Sequence, residues 1–463
     1  MQSLERRGDG TARAGIDAEA VAAHLAGAIQ LPTVSARGGI AGTAFVELHD
    51  YLARTYPRVH AQLIRETVGD SLLYEWQGKS AAMPPMVLMA HLDVVPVDPG
   101  TESSWAHPPY AGTVDAGFLY GRGALDDKSA VIAILEAVEK LLGDGEQPAR
   151  TVYLAFGADE EIGGERGAHQ IVERLRARGV EPAMVLDEGG AIMDGQMFGT
   201  AGLAAMVGIA EKGYLSLELS VRGAGGHSST PTTPTNIGRL CRAVAKLEAH
   251  PFPARLGGAT LEMLRAIAPT QSFGRRLALA HVSAIRPLLV RQFLADPKMA
   301  TLVQTTTAPT IFHAGDKENV LPKEATAVVN FQILTGETTR SVQERVVAVI
   351  SDPAVNVRPL AGIRSEPSPV SDVTGAAFAT LAKSARQMLG DTAPQLVIPF
   401  LTGPTDSRYW ASAGVKNVFR FTPFVYEADW MARAHGTNER IGVGGLAAGV
   451  SFYVQLIRNA AEL

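Results

Sequence analysis

Several stretches of the chain end in side chains that hold metals or move protons: His91-Leu92-Asp93, Asp126-Asp127, Glu160-Glu161 and Asp187-Glu188. Another, His435-Gly436-Thr437-Asn438-Glu439, lies near the C-terminus. Two imidazoles with several carboxylates suit a borderline divalent ion such as Zn2+, which accepts nitrogen and oxygen ligands where thiolates are absent. Cys241 is the only cysteine, so no Cys-built zinc site and no intrachain disulfide can form. A surplus of carboxylates suits two metals, because one carboxylate can bridge ions about 3.5–4 Å apart. Each segment alone is a weak signal, since a His-x-Asp is commonly a surface or core pair and adjacent acids commonly a solvated face. Their joint occurrence behind apolar runs is what carries weight.

Those runs read as strands. Residues 86–90 are wholly apolar and end at His91, residues 151–156 precede Asp159-Glu160-Glu161, and residues 183–186 precede Asp187-Glu188. Helical spacing separates them over 129–142 (Val131, Ile134, Leu135, Val138, Leu141, Leu142) and over 169–178. Strand and helix alternate, which predicts an α/β sheet with its polar groups at the strand ends. Residues 16–60 read as largely helical. Near residue 210 the pattern changes: 214–222 and 324–334 alternate as half-exposed strands, 237–247 is helical, and 252–305 reads as two or three further helices. The apolar residues of that last block (among them Leu264, Leu277, Leu288, Phe293 and Leu294) are expected to be mostly packing core. From about 370 the α/β pattern returns, with a helix at 375–389, a strand at 395–400 and a last helix at 445–459. The predicted organisation is a first catalytic part at 1–210, an inserted α+β domain at 211–362 and a second catalytic part at 363–463.

His91-Leu92-Asp93-Val94-Val95-Pro96, Tyr120-Gly121-Arg122-Gly123-Ala124-Leu125-Asp126-Asp127-Lys128, Asp159-Glu160-Glu161, Asp187-Glu188-Gly189-Gly190, Gly226-His227-Ser228-Ser229 and His435-Gly436 follow one another in order. Together they resemble the M20 family of di-zinc metallopeptidases. Thr405-Asp406-Ser407-Arg408, Glu211-Lys212-Gly213 and Thr305-Thr306-Thr307 most resemble its carboxypeptidase S branch, which includes the N-fatty-acyl-amino-acid synthase/hydrolases. The resemblance implies a catalytic domain with a mixed twisted sheet flanked by helices, and a smaller inserted α+β domain serving as lid and, in a homodimer, as interface.

Carried over by motif, Asp126 would bridge two Zn2+ ions, with Co2+ or Mn2+ as alternatives. His91 and Glu188 would complete one ion, and Glu161 and His435 the other. Asp187 adjoins Glu188 and is the other candidate ligand; Glu188 is preferred. Asp93 would hold the His91 imidazole in its metal-binding tautomer. Glu160 would be the general base, and His227 would help stabilise the oxyanion. Arg408 and Asn319 are candidates for the substrate's free carboxylate, because guanidinium grips carboxylates in a two-pronged fork. The chain departs from the family at Asn330-Phe331-Gln332-Ile333-Leu334-Thr335-Gly336, where many members carry an arginine and Pro-Gly. The implied reaction is hydrolysis of the amide bond of an N-acyl amino acid, or the reverse condensation. The runner-up is a carboxypeptidase or dipeptidase acting on short peptides. A non-catalytic metal-binding homologue is the alternative of another class.

Composition bounds these readings. The 463 residues suit two or three domains, and 46% hydrophobic with 19% charged residues is a globular profile. A net charge of −5 with no basic stripe argues against nucleic acid. No apolar run approaches the ~18 residues of a membrane-spanning helix. Residues 1–15 are polar, Arg-rich and without the apolar core of a secretory signal, and are expected to be a frayed tail. The expected location is cytoplasmic. Gly442-Val443-Gly444-Gly445-Leu446-Ala447 matches a loose dinucleotide pattern, but too little chain follows for a βαβ unit, so it is read as the start of a helix.

Overall fold

The computed structural model describes residues 15–36, 43–199, 202–389 and 396–463; the expected tail lies outside them up to residue 14. The chain divides into two units, one of Met1–Ile209, Glu262–Arg276 and Ser371–Leu463, the other of Ala210–Leu261 and Leu277–Val370.

The first unit is built on a nine-stranded mixed sheet. Its strands are β1 (Ile64–Val68), β2 (Ser71–Trp76), β3 (Met86–His91), β4 (Val152–Gly157), β5 (Met184–Asp187), β6 (Ala191–Asp194), β7 (Leu203–Glu211), β8 (Leu396–Thr402) and β9 (Val418–Arg420). They are ordered β1-β2-β4-β3-β5-β9-β7-β8, with β6 paired to β7. Strands β4, β3, β5 and β9 run parallel, while β2 meets β4 and β9 meets β7 antiparallel. In register, His91 lies opposite Gly157 and Arg420 opposite Asp187. The chemically active segments that follow these strands therefore leave the sheet at one end, beyond the carboxyl ends of its central parallel strands, where open α/β sheets place their sites.

The continuous apolar runs at β3, β4 and β5 have a physical cause. These strands are buried along their whole length, so neither face tolerates polar alternation. Val87, Met89, Ala155 and Val185 pack with Ile171, Val172 and Leu175 of helix Ala168–Ala177. Helix Lys128–Gly143 also packs on β3, and helices Ala18–Ile29 and Val443–Asn459 lie against it. Its periodic residues Val131, Ile134, Leu135, Val138, Leu141 and Leu142 are all buried. The N-terminal stretch read as helical forms Ala18–Ile29, Ala44–Thr55 and Pro57–Gln62. The first is capped by the Asp17 carboxylate, which accepts from the N–H groups of Glu19 and Ala20, an arrangement worth ~1 kcal/mol. The glycine-rich stretch at 442–447 starts helix Val443–Asn459.

In the second unit, strands Thr306–Ala314, Glu324–Ile333, Gly213–Arg222 and Val355–Pro359 form, in that order, a four-stranded antiparallel sheet. Leu215, Leu217, Leu219 and Val221 face a core completed by Leu240 and Ala243 of helix Asn236–Ala249 and Val342 and Val346 of helix Thr339–Ile350. Strand Gly213–Arg222 alternates buried and half-buried over most of its length, which is why its sequence has period two. The block at 252–305, of which Glu262–Arg276 is counted in the first unit, is helical, as Gly258–Ile267, Phe273–Ala280, Val282–Leu294 and the short Pro297–Ala300. Here one expectation is corrected: Leu264 and Phe293 are buried, but Leu277, Leu288 and Leu294 are exposed. Helical periodicity marks an apolar face and does not supply the surface that covers it.

Candidate metal centre

The carboxyl end of central strand β3 carries His91, buried, with its two ring nitrogens in different surroundings. Nδ1 is 2.9 Å from the main-chain oxygen of Asp93 and 3.3 Å from that residue's carboxylate. Nε2 is 2.9 Å from Asp126 Oδ1 and 3.5 Å from Glu188 Oε1. Asp126 turns its other oxygen to His435, whose Nε2 lies 3.0 Å away and also 3.3 Å from Glu161 Oε2. One carboxylate thus stands between two imidazoles, each of which has a glutamate of its own. His91, Asp126 and Glu161 offer ligand atoms within 4.8 Å of one another, and so do His91, Asp127 and Glu188. Asp127, not chosen from the sequence, therefore belongs to the cluster.

Adjacent acids have separate tasks. Glu188 faces His91, whereas Asp187 accepts from the Thr405 hydroxyl at 2.8 Å and the Ser407 N–H at 2.7 Å. Asp93 accepts from the N–H groups of Glu160 and Glu161, both at 3.2 Å, and from the Ser35 hydroxyl at 2.6 Å. It therefore positions the Glu160–Ile162 turn as well as His91. His435 holds a left-handed backbone, φ 60, a conformation that a non-glycine residue keeps only when its surroundings over-determine it.

Those surroundings are Arg122 and Glu439, two residues assigned no role from the sequence. Buried Glu439 accepts through Oε1 from the N–H groups of Gly123, Leu125 and Asp126, and through Oε2 from Arg122 at 2.6 Å. Arg122 donates in turn to the carbonyls of His435 and Gly436, each at 3.1 Å. The pair ties the loop carrying Asp126 to the loop carrying His435. The only sequence signal was an arginine inside a glycine-flanked motif and a glutamate four residues beyond a histidine.

Arg408 was expected to meet the substrate's carboxylate. Its guanidinium is 8% exposed as a residue and donates to the carbonyls of Thr405 at 2.8 Å and Gly163 at 2.6 Å. It stands 3.8 Å from Glu160 and 3.6 Å from Asp406. At Gly164, φ 64, a Cβ would lie 2.0 Å from Asp406 Oδ1, so only glycine lets the turn close over that carboxyl. His227 and Asn319 belong to the second unit, where they are neighbours. His227 pairs with Val320 in a two-stranded ladder, and the Ser228 N–H donates to the Asn319 carbonyl. His227 is exposed, with Nδ1 2.7 Å from the Ser229 hydroxyl.

The electrostatics ask for a cation. Burial pushes the Glu188, Glu160 and Asp127 carboxyls well above the carboxylate range, with neighbouring acids adding to it. Burial also raises Glu161, less strongly because His435 opposes it. Burial lowers the His91 imidazole, but Glu188, Asp126 and Asp93 overcome this and raise it well above the histidine range. Hydrogen bonds to Asp126 and Glu161 raise His435 to about 10. Burial would raise Asp126 too, yet the two imidazoles hold it below the usual range. Protons here do what divalent cations would do better. Among the described residues Glu161 Oε1 and Asp127 Oδ1 are buried without a hydrogen-bond partner, the state of ligand atoms awaiting a metal. The donor set of imidazole and carboxylate fits a divalent ion.

A parallel-centred α/β sheet with this cluster at its strand ends defines a candidate divalent-metal centre. The chain belongs to peptidase family M20/M25/M40, whose family model matches residues 87–459. It is 38% identical over 442 residues to the N-fatty-acyl-amino acid synthase/hydrolase PM20D1 of Xenopus tropicalis, covering 94% of this chain and 85% of that one. It is also 38% identical over 424 residues to the probable carboxypeptidase S-like 2 of Dictyostelium discoideum, covering 90% and 80%. Among solved structures, the M20 family metallo-carboxypeptidase Sso-CP2 from Sulfolobus solfataricus matches 95% of this chain and 98% of its own, with a TM-score of 0.72 and 20% identity. That likeness shows the fold.

Proposed function

We propose that this chain hydrolyses the amide bond of N-acyl amino acids, with two zinc ions held by its first unit. The observation that carries the metal count is the Asp126 carboxylate, one oxygen toward His91 and the other toward His435. His91 and Glu188 would hold one ion, Glu161 and His435 the other, and Asp126 both. When bound, the ions polarise the scissile carbonyl and acidify a water. Glu160 accepts the proton of the attacking water and returns it to the leaving nitrogen. Its burial raises its proton affinity, the direction that helps a carboxylate take up a proton from water. Asp93 fixes the start of the Glu160 turn through the main chain. Roles for His227 at the oxyanion and for Arg408 and Asn319 at a carboxylate rest on the resemblance.

The N-acyl amino acid class is supported by the synthase/hydrolase relatives. The carboxypeptidase S-like relatives support the second reading, a peptidase acting on short peptides. The test loads the purified protein with Zn2+ and follows amine release by mass spectrometry from long-chain N-acyl amino acids and dipeptides. Preferred cleavage of the acyl amino acids, lost on chelation and in Glu160→Gln, is expected. Preference for dipeptides moves the substrate to the second reading with the same chemistry. No turnover of either class by the folded, metal-loaded protein refutes both.

A further inference from the structure

Helices Phe273–Ala280 and Val282–Leu294 bury almost nothing: the first has no buried residue and the second only Phe293. Helices this short are marginal in water by themselves, and in folded proteins they are held by an apolar face packed against something. Here that face is incomplete. Leu277, Leu288 and Leu294 are 52%, 65% and 43% exposed. Leu288, Arg291 and Leu294 follow at three-residue steps, so they share one exposed face of Val282–Leu294.

The charge of this stretch is equally one-sided. It carries Arg275, Arg276, Arg286 and Arg291, and no Asp or Glu occurs between Glu262 and Asp296, in a chain whose net charge is −5. Leucines exposed beside guanidinium groups are the combination of an interfacial helix on a negatively charged surface. A second copy of the chain is a poor cover. A two-fold symmetric contact presents the same patch from both sides, bringing two arginine-bearing surfaces together with no Asp or Glu from this stretch to offset them. Among the described residues no single helix is long and apolar enough to cross a membrane; Phe273–Ala280 and Val282–Leu294 reach that length only as a pair bent by 109°, and the four arginines they carry suit the surface of a bilayer.

We propose that residues 277–294 dock on the surface of an anionic phospholipid bilayer, with Leu288 and Leu294 entering the boundary between headgroups and acyl chains and Arg291 paired with lipid phosphate. This does not depend on the substrate reading, and neither does its test. The full chain is mixed with vesicles of phosphatidylcholine alone or of phosphatidylcholine with phosphatidylglycerol, and the sedimented fraction is measured at low and high salt. Binding is expected only to the anionic vesicles and is expected to weaken with salt. Arg291→Glu should reduce partitioning about tenfold or more, and Leu288→Ser with Leu294→Ser should reduce it at either salt concentration. All three side chains are exposed, so the variants should melt with the parent, and the melting temperature serves as the check on folding. The proposal is overturned if the parent binds neither vesicle or both equally, or if the folded variants bind like the parent. It is also overturned if light scattering finds a dimer that Leu288→Ser splits, in which case a second copy covers the face.

Discussion

Glu439→Gln tests whether the buried Arg122–Glu439 pair holds the metal centre together. The carboxylate accepts three main-chain N–H bonds on one oxygen and the guanidinium on the other. Glutamine keeps the size and one acceptor. If its oxygen serves the main chain, its NH2 faces the Arg122 donors; if it serves Arg122, the N–H groups of Gly123, Leu125 and Asp126 face an NH2. Arg122 is 2% exposed and Glu439 0%, so water cannot repair either arrangement. Burial pushes the Glu439 carboxyl up to about 7 while Arg122 pulls it down. Breaking a buried pair from one side costs about 3–5 kcal/mol, a large part of the ~5–15 kcal/mol that holds a domain. Urea unfolding followed by tryptophan fluorescence reads this well, because Trp76, Trp105, Trp410 and Trp430 all lie in the first unit. The double variant Arg122→Met/Glu439→Gln should lose less than the sum of the single losses, with a coupling of about 1–3 kcal/mol. Metal content should fall with stability, since the pair anchors both the Asp126 N–H and the His435 carbonyl. Glu439→Gln within about 1 kcal/mol of the parent and fully metal-loaded would refute the reasoning.

Glu160→Gln should retain its metals and lose most turnover; near-parental kcat in a metal-replete variant removes Glu160 from proton transfer. Arg408→Ala should raise KM if the guanidinium meets the substrate's carboxylate; a lowered kcat with KM kept would instead assign it to holding the Gly163 carbonyl beside Glu160. His227→Ala should lower kcat if the histidine meets the oxyanion, and a change in KM alone rejects that role. Burial lowers Lys212 from 10.5 to about 8. Between those values the unfolded chain binds more protons than the folded one, so Lys212 should make stability rise from about pH 8 to 10.5 and leave it flat below. Lys212→Met should remove that slope and stabilise the protein near pH 7 by up to about 3 kcal/mol; an unchanged slope in chemical denaturation across this range would show that Lys212 is not its source.

Much of the site was legible in the sequence because its segments obey local rules. Parallel strands buried on both faces read as unbroken apolar runs, and the residues at or just past their carboxyl ends gather at one end of the sheet, so His91, Glu160-Glu161 and Asp187-Glu188 announced themselves. Helix Lys128–Gly143, starting directly after Asp126-Asp127, was legible from its spacing. Which side chains meet is another matter. His91 and Asp126 are 35 residues apart and His435 and Asp126 are 309 apart; no local pattern encodes such contacts, which depend on register and loop closure. Which of two adjacent acids faces the cluster was likewise decided by partners far along the chain, Thr405 and Ser407 for Asp187. The tie between Arg122 and Glu439, 317 residues apart, exists only once both loops are in place. The sequence by itself determined which residues could bind metals and at which strand ends they stand. The tertiary structure decided their partners, their charge states and the uncovered face of helix Val282–Leu294, because burial and long-range contact are properties of the packed chain and not of any one segment.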